Sequence, residues 1–356
     1  TGTNGKTSTT YTTASLLNKL GVPTAFVGTI GNFFHNCKFP TKYTTPEAPE
    51  LHRLLADFHS RGAEAVAMEV SSHALEMHRV DNVEFAAAIF SNLTPDHLDF
   101  HLTMERYASA KKKLFERLNS KSYAVIFQDD PYSSLMVKDC KANIVKVGFM
   151  SNSDVQISDV RSSIGWTSFM LAFNFWNSSS IAYEVKIPQT GDYSAVNASL
   201  AITSIISHWE FNPESVLEHC SQLKPPPGRM QFLRLANGAY CCIDYAHTPD
   251  AVEKTLTNIR SLCVNGARLV VVFGCGGNRD REKRPLMGRY ASILADHCIL
   301  TNDNPRSENP AVIADEILRG VDHSKLEHFT IELDRKKAIE LALSMTHSGD
   351  VAAVLG

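Results

Sequence analysis

A glycine-rich run that leads into a helical segment constrains this chain most: Thr1-Gly2-Thr3-Asn4-Gly5-Lys6-Thr7-Ser8. Glycines let backbone N–H groups approach phosphate oxygens, a lysine offers a mobile positive charge, and a threonine hydroxyl can ligate magnesium. The run therefore predicts a phosphate-binding loop that uses a nucleoside triphosphate. Such a loop follows a buried strand, which we expect upstream of Thr1. The Gly-x-x-Gly-Lys-Thr spacing is shorter than the full phosphate-loop pattern, so a glycine turn that caps a helix is the alternative.

Length and composition indicate a globular protein with two domains. The chain has 356 residues, of which 44% are hydrophobic and 21% are charged, enough to build substantial cores. Its net charge of −3 argues against a nucleic-acid partner. The lack of an apolar run of about 18 residues argues against a membrane partner. The eight cysteines show neither paired nor zinc-type spacing, so we expect reduced thiols and a cytoplasmic location.

Over the first two-thirds of the chain, short apolar runs alternate with amphipathic stretches, a pattern that predicts a sheet covered by helices. A helix that ends near Gly62 is predicted by apolar residues at helical spacing, which we assign to the core: Leu51, Leu54, Leu55 and Phe58. The strands are predicted at residues 23–28, 64–70, 85–92 and 123–127.

Residues 154–187 differ in character, because large aromatic residues lie among serines and asparagines with little helical periodicity. We predict antiparallel strands at the edge of the first domain, with the aromatic residues in the core. These residues are Trp166, Phe169, Phe173, Phe175 and Trp176. A helix over residues 194–207 and a proline-rich linker at 224–228 are predicted to follow.

Strand patterns resume after the linker, at residues 240–244, 268–274, 297–301 and 350–355. They predict a parallel sheet of a doubly wound, Rossmann-like domain. The fold class is therefore α/β, with predicted domains at residues 1–228 and 229–356.

Two polar residues follow predicted strands of the first domain. Glu69 comes at the end of one strand, and His97 lies shortly after another. The carboxyl ends of strands in an open α/β sheet gather ligands, so both side chains are expected near the phosphate loop. Together with Thr7 they could hold magnesium around a triphosphate. The alternative for each residue alone is a hydrogen-bonded polar group at a strand end.

Several longer runs resemble one enzyme family. They are residues 68–75 (Met-Glu-Val-Ser-Ser-His-Ala-Leu), Arg79-Val80, residues 92–99 and residues 107–115 (Tyr-Ala-Ser-Ala-Lys-Lys-Lys-Leu-Phe). Along essentially the whole chain the sequence is similar to the ATP-dependent Mur ligases, and within them to the branch that adds the third amino acid of the peptidoglycan peptide. The resemblance implies a central ATP-binding domain with a mostly parallel sheet and a small antiparallel edge, followed by the Rossmann-like domain.

The resemblance also implies a reaction. ATP transfers its γ-phosphoryl group to the free carboxylate of UDP-N-acetylmuramoyl-L-alanyl-D-glutamate, and an incoming amine attacks the acyl phosphate to give an amide, ADP and phosphate. Catalysis of this kind depends on positioning and electrostatic stabilisation. The implied enzyme is a monomer.

Residue by residue, the resemblance implies that Lys6, His97 and Lys111 are catalytic. Lys111 lies where these ligases carry a carbamylated lysine, which would supply an anionic oxygen to a second magnesium. Without the resemblance, Lys111 is a solvated surface charge. The implied metal site contains Thr7, Glu69, His97 and carbamylated Lys111. The implied ATP contacts are Gly2, Thr3, Asn4, Gly5, Lys6, Thr7, Ser8, Asn197, Arg229, Asp244 and His247.

The UDP-muramoyl peptide is implied to bind Thr44, Thr45, Ser71 and Arg79, because hydroxyl donors and a guanidinium suit a polar anionic ligand. The run Thr44-Thr45-Pro46-Glu47 also predicts a helix start, with Thr45 as the cap and Pro46 at the first position. Both interpretations can hold together.

For the acceptor amino acid, the resemblance implies Arg279, Asp303, Asn304, Arg306 and Gly356. A guanidinium can clamp a carboxylate through two hydrogen bonds, so Arg306 suits an amino acid with a second carboxylate at its far end. This favours meso-diaminopimelate over lysine. A turn with an exposed arginine is the alternative.

Similar enzymes carry a uridine-binding domain before this region and a Lys-Gly-His-Glu segment after it, which we expect outside residues 1–356. Three alternatives to the diaminopimelate ligase remain: a non-catalytic interaction module with the same fold, a lysine-adding ligase, and a folylpolyglutamate-type ligase. Retention of Lys6, Glu69, His97, Lys111 and Arg306 together argues for chemistry.

Overall fold

The structure, a computed structural model, describes residues 1–174, 181–264 and 266–356. The chain divides into two compact units, the first with residues 1–162 and 166–226 and the second with residues 163–165 and 227–356. Both units are built of strands and helices in the predicted α/β class. No helix in the described ranges is both long and apolar enough to cross a bilayer.

In the described part of the first unit, the strands form two sheets. The strands are β1 (Thr24–Gly28), β2 (Gly31–Phe34), β3 (Cys37–Phe39), β4 (Ala65–Met68), β5 (Ala87–Phe90), β6 (Tyr123–Phe127), β7 (Asn143–Gly148), β8 (Val155–Ser163), β9 (Trp166–Phe173) and β10 (Ile181–Ile187). The helices are α1 (Lys6–Lys19), α2 (Ala48–Ser60), α3 (Ser72–Glu76), α4 (Leu98–His101), α5 (Met104–Glu116), α6 (Ser133–Met136), α7 (Asp192–Trp209) and α8 (Pro213–Leu217).

The larger sheet has the order β10-β9-β8-β7-β6-β5. Strands β5 to β8 pair in parallel, and β9 pairs with β10 antiparallel, which confirms the predicted antiparallel edge. The core assignment is confirmed for Phe169 and Phe173, which are buried, but it is wrong for Trp166, which is exposed and lies under the Lys186 ammonium. Phe175 and Trp176 lie outside the described residues.

The smaller sheet, in the order β3-β2-β1-β4, is a correction to the single sheet expected for this region. Strand β1 pairs with β4 in parallel and with β2 antiparallel. The β2–β3 hairpin was not predicted. Its strands have four and three residues, which is too short to show a clear alternating pattern. Strands β1 and β4, which precede the polar residues Thr29 and Glu69, therefore belong to a sheet distinct from that of β5.

Helices α1 and α7 form the centre of the first unit. Leu16 and Leu17 of α1 pack with Ala195 and Ala198 of α7 in one core cluster, which includes Val125 of the large sheet. Helix α7 is buried along almost its whole length, which explains its apolar composition and lack of a strong polar face. This packing holds α1, which follows the glycine-rich run, against α7.

The second unit contains a six-stranded sheet in the order β11-β12-β16-β13-β14-β15. Its strands are β11 (Gln231–Arg234), β12 (Tyr240–Asp244), β13 (Leu269–Phe273), β14 (His297–Leu300), β15 (Phe329–Ile331) and β16 (Val351–Leu355). Its helices are α9 (Pro249–Leu262), α10 (Lys283–Leu294), α11 (Pro310–Leu318) and α12 (Arg335–Ser344).

The four predicted strands of this sheet are confirmed, and they pair in parallel in the order β12-β16-β13-β14. Both edge strands were missed: β11 pairs antiparallel with β12, and β15 has three residues. Apolar clusters lie on both faces of the sheet, one including α9, α10 and α11 and the other including α12. A parallel sheet covered on both faces leaves its strand ends as the place for ligand-binding loops.

Candidate functional site

The glycine-rich run forms a tight loop that ends at the start of α1. Gly5 caps the helix in the left-handed region, with φ +83°, and a Cβ there would lie 2.3 Å from Asn197 Oδ1. A Cβ on Gly2 would lie 2.0 Å from Ser91 Oγ. Both positions therefore require glycine. The loop is held to the residues after β5, because the Asn4 N–H donates to Asn92 Oδ1 at 2.9 Å.

Two lysines meet at one carbonyl of this loop. Lys6 Nζ donates to Gly2 O at 2.9 Å and to Thr3 O at 2.8 Å, and Lys111 Nζ donates to the same Gly2 O at 2.8 Å. Lys111 is only 1% exposed and lies 4.6 Å from the centre of the Tyr107 ring. Burial holds the pKa of Lys111 well below its usual range, the Lys6 charge lowers it further, and Asp96 partly opposes both.

Glu69 lies 1% exposed at the end of β4. Its carboxylate accepts hydrogen bonds from Thr7 Oγ1 at 3.0 Å, from the Thr29 N–H at 2.8 Å and from Thr29 Oγ1 at 3.2 Å. The first turn of α1 is thus joined to the ends of β1 and β4, as the sequence predicted for Thr7 and Glu69. The contribution of Thr29 was missed.

His97 lies in a group of aromatic rings beside α5. Its ring is 4.8 Å from that of His73 and 6.2 Å from that of Tyr107, both edge to face. Burial lowers the pKa of His97, Asp96 opposes this effect, and the charges of Lys6 and Lys111 lower it further. His97 therefore shares the electrostatic surroundings of the two lysines. A neutral imidazole is the form that can ligate a cation.

The joined Thr7 and Glu69 side chains fit a cation with oxygen ligands, while the side-chain contacts of His97 are with His73, Tyr107 and Asp96. In the described ranges, no three His, Cys, Asp or Glu side chains are grouped so as to hold a metal. The predicted metal site does not depend on three such side chains. Two of its ligands are the hydroxyl of Thr7 and the carboxylate of Glu69, which are hydrogen-bonded to each other. Hydroxyl and carboxylate oxygens are the ligands that magnesium prefers.

The four residues predicted to bind the muramoyl peptide lie near one another. Thr44 Oγ1 is 3.1 Å from Thr29 Oγ1. Arg79 donates to Thr45 O at 3.0 Å and pairs with Glu47 at 2.7 Å, while its guanidinium lies 4.6 Å from the Tyr43 ring centre. Arg79 therefore holds the segment before α2 in place.

The helix start predicted at Thr45 is wrong. Helix α2 begins at Ala48 with Glu47 as its N-cap. The Thr45 hydroxyl instead donates to Glu69 O at 2.9 Å and accepts from the Ser71 N–H at 3.1 Å. Ser71 Oγ caps α3. The Thr45 hydroxyl, which the local sequence predicted to cap a helix, instead forms hydrogen bonds with a distant segment of the chain.

Of the further nucleotide residues, Asn197 lies in the first unit beside the loop and accepts a hydrogen bond from Thr9 Oγ1 at 3.4 Å. In the second unit, the Arg229 guanidinium lies 4.9 Å from the Tyr245 ring centre. The ring of the exposed His247 contacts Tyr245, and its Nδ1 is 2.8 Å from Tyr245 O.

Asp244 is held by its own surroundings in the second unit. Its carboxylate accepts the Met230 N–H at 2.8 Å, the Ala246 N–H at 3.0 Å and the Thr255 hydroxyl at 3.1 Å. Burial raises the pKa of Asp244, and the hydrogen bond from Met230 opposes that shift most. Asp244 thereby fixes the loop that carries His247.

The predicted acceptor residues follow β13, β14 and β16. Asp303, Asn304, Arg306 and Arg279 are exposed, and Gly356 donates its N–H to Asp244 O at 3.1 Å. Arg306 Nη1 donates to Gly277 O at 2.7 Å, which joins the loop after β14 to the glycine-rich loop after β13. The residues predicted to bind the acceptor amino acid therefore lie after the ends of three parallel strands, β13, β14 and β16.

Sequence reasoning missed two sets of buried polar residues. Tyr107 hydrogen-bonds Thr3 at 3.1 Å, and burial raises its pKa. In the second unit, Arg284 is fully buried and pairs with Glu308 at 2.9 Å and Glu316 at 2.6 Å. Helical phase could have found Arg284, since it recurs with the core residues Met287 and Ala291 along α10.

The Arg284 pairing predicts an acid-sensitive contribution to stability. Arg284 beside Glu308 lowers the pKa of that carboxyl from 4.5 to about 2. A carboxyl whose pKa is lower in the folded state stabilises fully above the unfolded pKa and loses this contribution as pH falls toward the folded one. We expect the free energy of unfolding to fall between pH 4.5 and pH 2 more steeply in the native protein than in Glu308→Gln. Urea unfolding at a series of pH values measures this difference, and parallel curves would contradict it.

Comparison with known proteins extends along the whole chain. Residues 1–205 match the Mur ligase middle domain, and residues 228–356 match the Mur ligase, glutamate ligase domain. The chain is 39% identical over 356 residues to a UDP-N-acetylmuramoyl-L-alanyl-D-glutamate–2,6-diaminopimelate ligase of Caldanaerobacter subterraneus subsp. tengcongensis. It is 40% identical over 361 residues to a ligase of the same name from Xanthomonas campestris pv. campestris. Each alignment covers 100% of this chain and 71% of the relative.

Solved structures agree with this result. A UDP-N-acetylmuramoyl-L-alanyl-D-glutamate–2,6-diaminopimelate ligase shares 34% identity and superposes with a TM-score of 0.71, covering 100% of this chain and 71% of that one. A folylpolyglutamate synthase from Thermotoga maritima superposes at 0.75 with 15% identity, covering 100% of this chain and 84% of that one, and shows only the shared fold. On the sequence matches over both units, the chain belongs to the Mur ligase family.

Proposed function

We propose that this chain forms the ATP-binding and acceptor-binding parts of a ligase that adds meso-diaminopimelate to UDP-N-acetylmuramoyl-L-alanyl-D-glutamate in peptidoglycan synthesis. The observation that carries the proposal is the meeting of Lys6 and Lys111 at the phosphate loop, in a chain 39–40% identical throughout to ligases of that name. The ligase activity makes an amide bond through an acyl phosphate, at the expense of ATP.

Lys6 and the backbone of the loop bind the triphosphate. The N-terminal N–H groups of α1 point toward the loop, where a helix end favours negative charge. The Lys6 ammonium lies over the loop carbonyls, within reach of a phosphate held there. As charge develops on the transferred phosphoryl group, a fixed ammonium in a partly buried site stabilises it more than water would.

Thr7, Glu69 and His97 are the residues that would hold magnesium. When bound, magnesium would place positive charge beside the phosphate oxygens and so stabilise the negative charge that develops as the γ-phosphoryl group is transferred. The joined Thr7 and Glu69 side chains support this assignment, as does the pKa of His97, which is lowered by burial.

Lys111 is proposed to be carbamylated. A neutral amine is the form that reacts with carbon dioxide, and burial holds the pKa of Lys111 well below its usual range. The reaction joins the neutral amine nitrogen to carbon dioxide and releases one proton, so it replaces a buried neutral amine by an anion beside Lys6. Contact with the Gly2 carbonyl keeps the amine in position.

The second unit is proposed to recognise the acceptor amino acid and to contribute to ATP binding. Arg306 and Arg279 would take the far carboxylate, while Asp303, Asn304 and Gly356 would surround the amine. Arg229, Asp244 and His247 are assigned to ATP. The meso isomer, the muramoyl-peptide contacts at Thr44, Thr45, Ser71 and Arg79, a monomeric state and a cytoplasmic location complete the proposal and rest on the family resemblance. The net charge of −3 supports the absence of a nucleic-acid partner.

An amide-forming assay on the full-length protein tests the proposal. With ATP and the UDP-muramoyl dipeptide, we expect product with diaminopimelate and little with lysine. Arg306→Ala is expected to lower kcat/KM for diaminopimelate by about tenfold to a hundredfold, because a charge-assisted pair is lost. Activity with lysine should change little. Arg289→Ala, at an exposed position on α10, is the matched control.

Equal use of both amino acids by the native protein would exclude the diaminopimelate assignment. ATP hydrolysis without amide product would exclude the ligase itself and favour the non-catalytic module. Amide formation on a folate substrate would identify the folylpolyglutamate-type alternative.

A further inference from the structure

Two loops of the second unit lie at the ends of neighbouring parallel strands, β13 and β14. We call residues 274–281 the glycine loop and residues 302–308 the acceptor loop. The Gly277 N–H donates to Asn304 O at 2.8 Å, and Arg306 Nη1 returns a hydrogen bond to Gly277 O at 2.7 Å. The two loops are therefore joined through both polar groups of one glycine.

The joined loops hold an unfavourable backbone conformation. Arg306 has φ +50° and Asn278 has φ +52°, a region that residues other than glycine rarely adopt. A Cβ on Gly277 would lie 1.9 Å from Pro305 O, so the loops are in close contact there. Such a conformation persists only where surrounding contacts determine it.

An ion pair between the buried Arg284 and the partly buried Glu308 supports this junction. Arg284 Nη1 and Nη2 donate to the two carboxylate oxygens of Glu308 at 2.9 and 3.0 Å. Arg284 Nη2 also donates to Gly276 O at 3.2 Å. The Glu308 carboxylate further accepts the Asn278 N–H. One guanidinium and one carboxylate thus connect both loops to α10.

Glu316 provides a contrast within the same network. It lies on α11 and accepts hydrogen bonds from Arg284 and Arg281. Its side-chain hydrogen bonds go to Arg284 and to Arg281 at the end of the glycine loop, and among the described residues none of them reaches the acceptor loop. Glu308, by comparison, lies two residues after Arg306 within the acceptor loop.

We propose that Glu308 and Arg284 are positioning residues that hold the Arg306 guanidinium for the far carboxylate of the acceptor amino acid. This inference rests on the proposed function for the identity of the acceptor. The pair fixes the acceptor loop against the glycine loop, so that Arg306 is presented in one conformation. Without the pair, the left-handed backbone at Arg306 relaxes and the guanidinium must be ordered by the ligand itself, which weakens binding.

The test compares Glu308→Gln with Glu316→Gln in the full-length protein. Each change removes one carboxylate from Arg284 and keeps the side-chain size. For Glu308→Gln, we expect KM for diaminopimelate to rise about tenfold, as for loss of a charged hydrogen bond, and the preference over lysine to fall by a similar factor. KM for ATP should stay within about twofold. Glu316→Gln should lose thermal stability while keeping the native KM for diaminopimelate and the native preference.

Hydrogen exchange gives a readout that does not need activity. Glu308→Gln is expected to speed amide exchange in peptides that contain residues 302–308, whereas Glu316→Gln leaves these peptides close to native because its hydrogen bonds do not reach the acceptor loop. Equal effects of the two variants on exchange, or on KM for diaminopimelate, would overturn the inference. A native protein that makes no diaminopimelate amide would refute the proposed function instead, and the exchange comparison would still decide whether Glu308 holds the acceptor loop.

Discussion

Lys6→Ala is expected to lower kcat/KM for ATP by about 10²–10³-fold, the effect of removing one preorganised electrostatic contact from a transition state. Lys6 donates to two carbonyls of the phosphate loop, so its ammonium lies where a terminal phosphate would bind. Release of ADP coupled to amide formation measures the loss. Binding of ADP should weaken less than turnover, because charge on the transferred group develops only during the reaction.

Lys19→Ala is the matched control for this prediction. Lys19 ends the same helix and donates to Gln222 at 3.3 Å in an exposed position. An exposed polar contact of this kind contributes little, so activity should stay within about twofold. A Lys6→Ala protein that keeps a tenth or more of native activity would refute the assignment of the phosphate loop.

Lys111→Met is expected to affect activity and stability in opposite directions. Amide formation should fall by about 10²–10³-fold, because the group proposed to become an anionic ligand is lost. Stability in buffer depleted of carbon dioxide should rise, since a buried amine is costly to charge. Gly2 O keeps its hydrogen bond from Lys6, so the substitution leaves no unpaired carbonyl.

The pH dependence of this stability difference has a definite sign. The pKa of Lys111 is lowered from 10.5 by burial, by the Lys6 charge and despite Asp96. The unfolded chain therefore holds the proton over a pH range in which the folded protein has lost it, and the stability of the native protein rises with pH through that range. The advantage of Lys111→Met in urea unfolding should shrink as pH approaches 10.5.

Lys112→Met serves as the control at the next position. Lys112 pairs with Glu116 and Asp139 at the surface, so its loss should change activity by less than about twofold. Bicarbonate should raise the activity of the native protein and of Lys112→Met, with a carbamate signal in carbon-13 spectra. Full activity of Lys111→Met, or native activity indifferent to bicarbonate, would contradict the carbamate proposal.

The fold could be predicted where a segment is long, as in α7, or where a short strand is a largely apolar run, as in β6 and β12. Helix α7 and strands β6 and β12 are confirmed at or near the predicted residues. The β2–β3 hairpin and the edge strand β15 could not be predicted, because three or four residues carry too little alternation. Edge strands also lack the continuous apolar runs that mark central parallel strands.

The site shows a similar division. The role of Lys111 came only from the family resemblance, and the alternative of a solvated surface charge is wrong because Lys111 is buried, although the phase of α5 contains the signal. Tyr107, Lys111 and Leu114 fall on the buried face of that helix, whereas Lys112 and Lys113 pair with surface acids. The helical periodicity of α5 alone would have placed Lys111, and not its two lysine neighbours, on the buried face without knowledge of the family.

Other features depend on contacts that no local pattern encodes. The Thr45 hydroxyl binds backbone groups of Glu69 and Ser71, which lie 24 and 26 residues away. Glu308 meets Arg284 across 24 residues. Thr45 and Arg284 each precede a proline in the sequence, a local pattern that does not indicate burial. Only the tertiary fold shows that each of these side chains joins distant segments.

Because Lys6 is already bonded to two oxygens of its own loop, an arriving anion gains only the difference between its oxygens and those carbonyls. The hydrogen bonds of the side chain are exchanged, and no net number of them is created. Weak, dispersed negative charge offers little advantage in that exchange, whereas the terminal oxygens of a polyphosphate offer much. If Lys6 binds phosphate as proposed, its side chain would therefore favour ligands of high charge density.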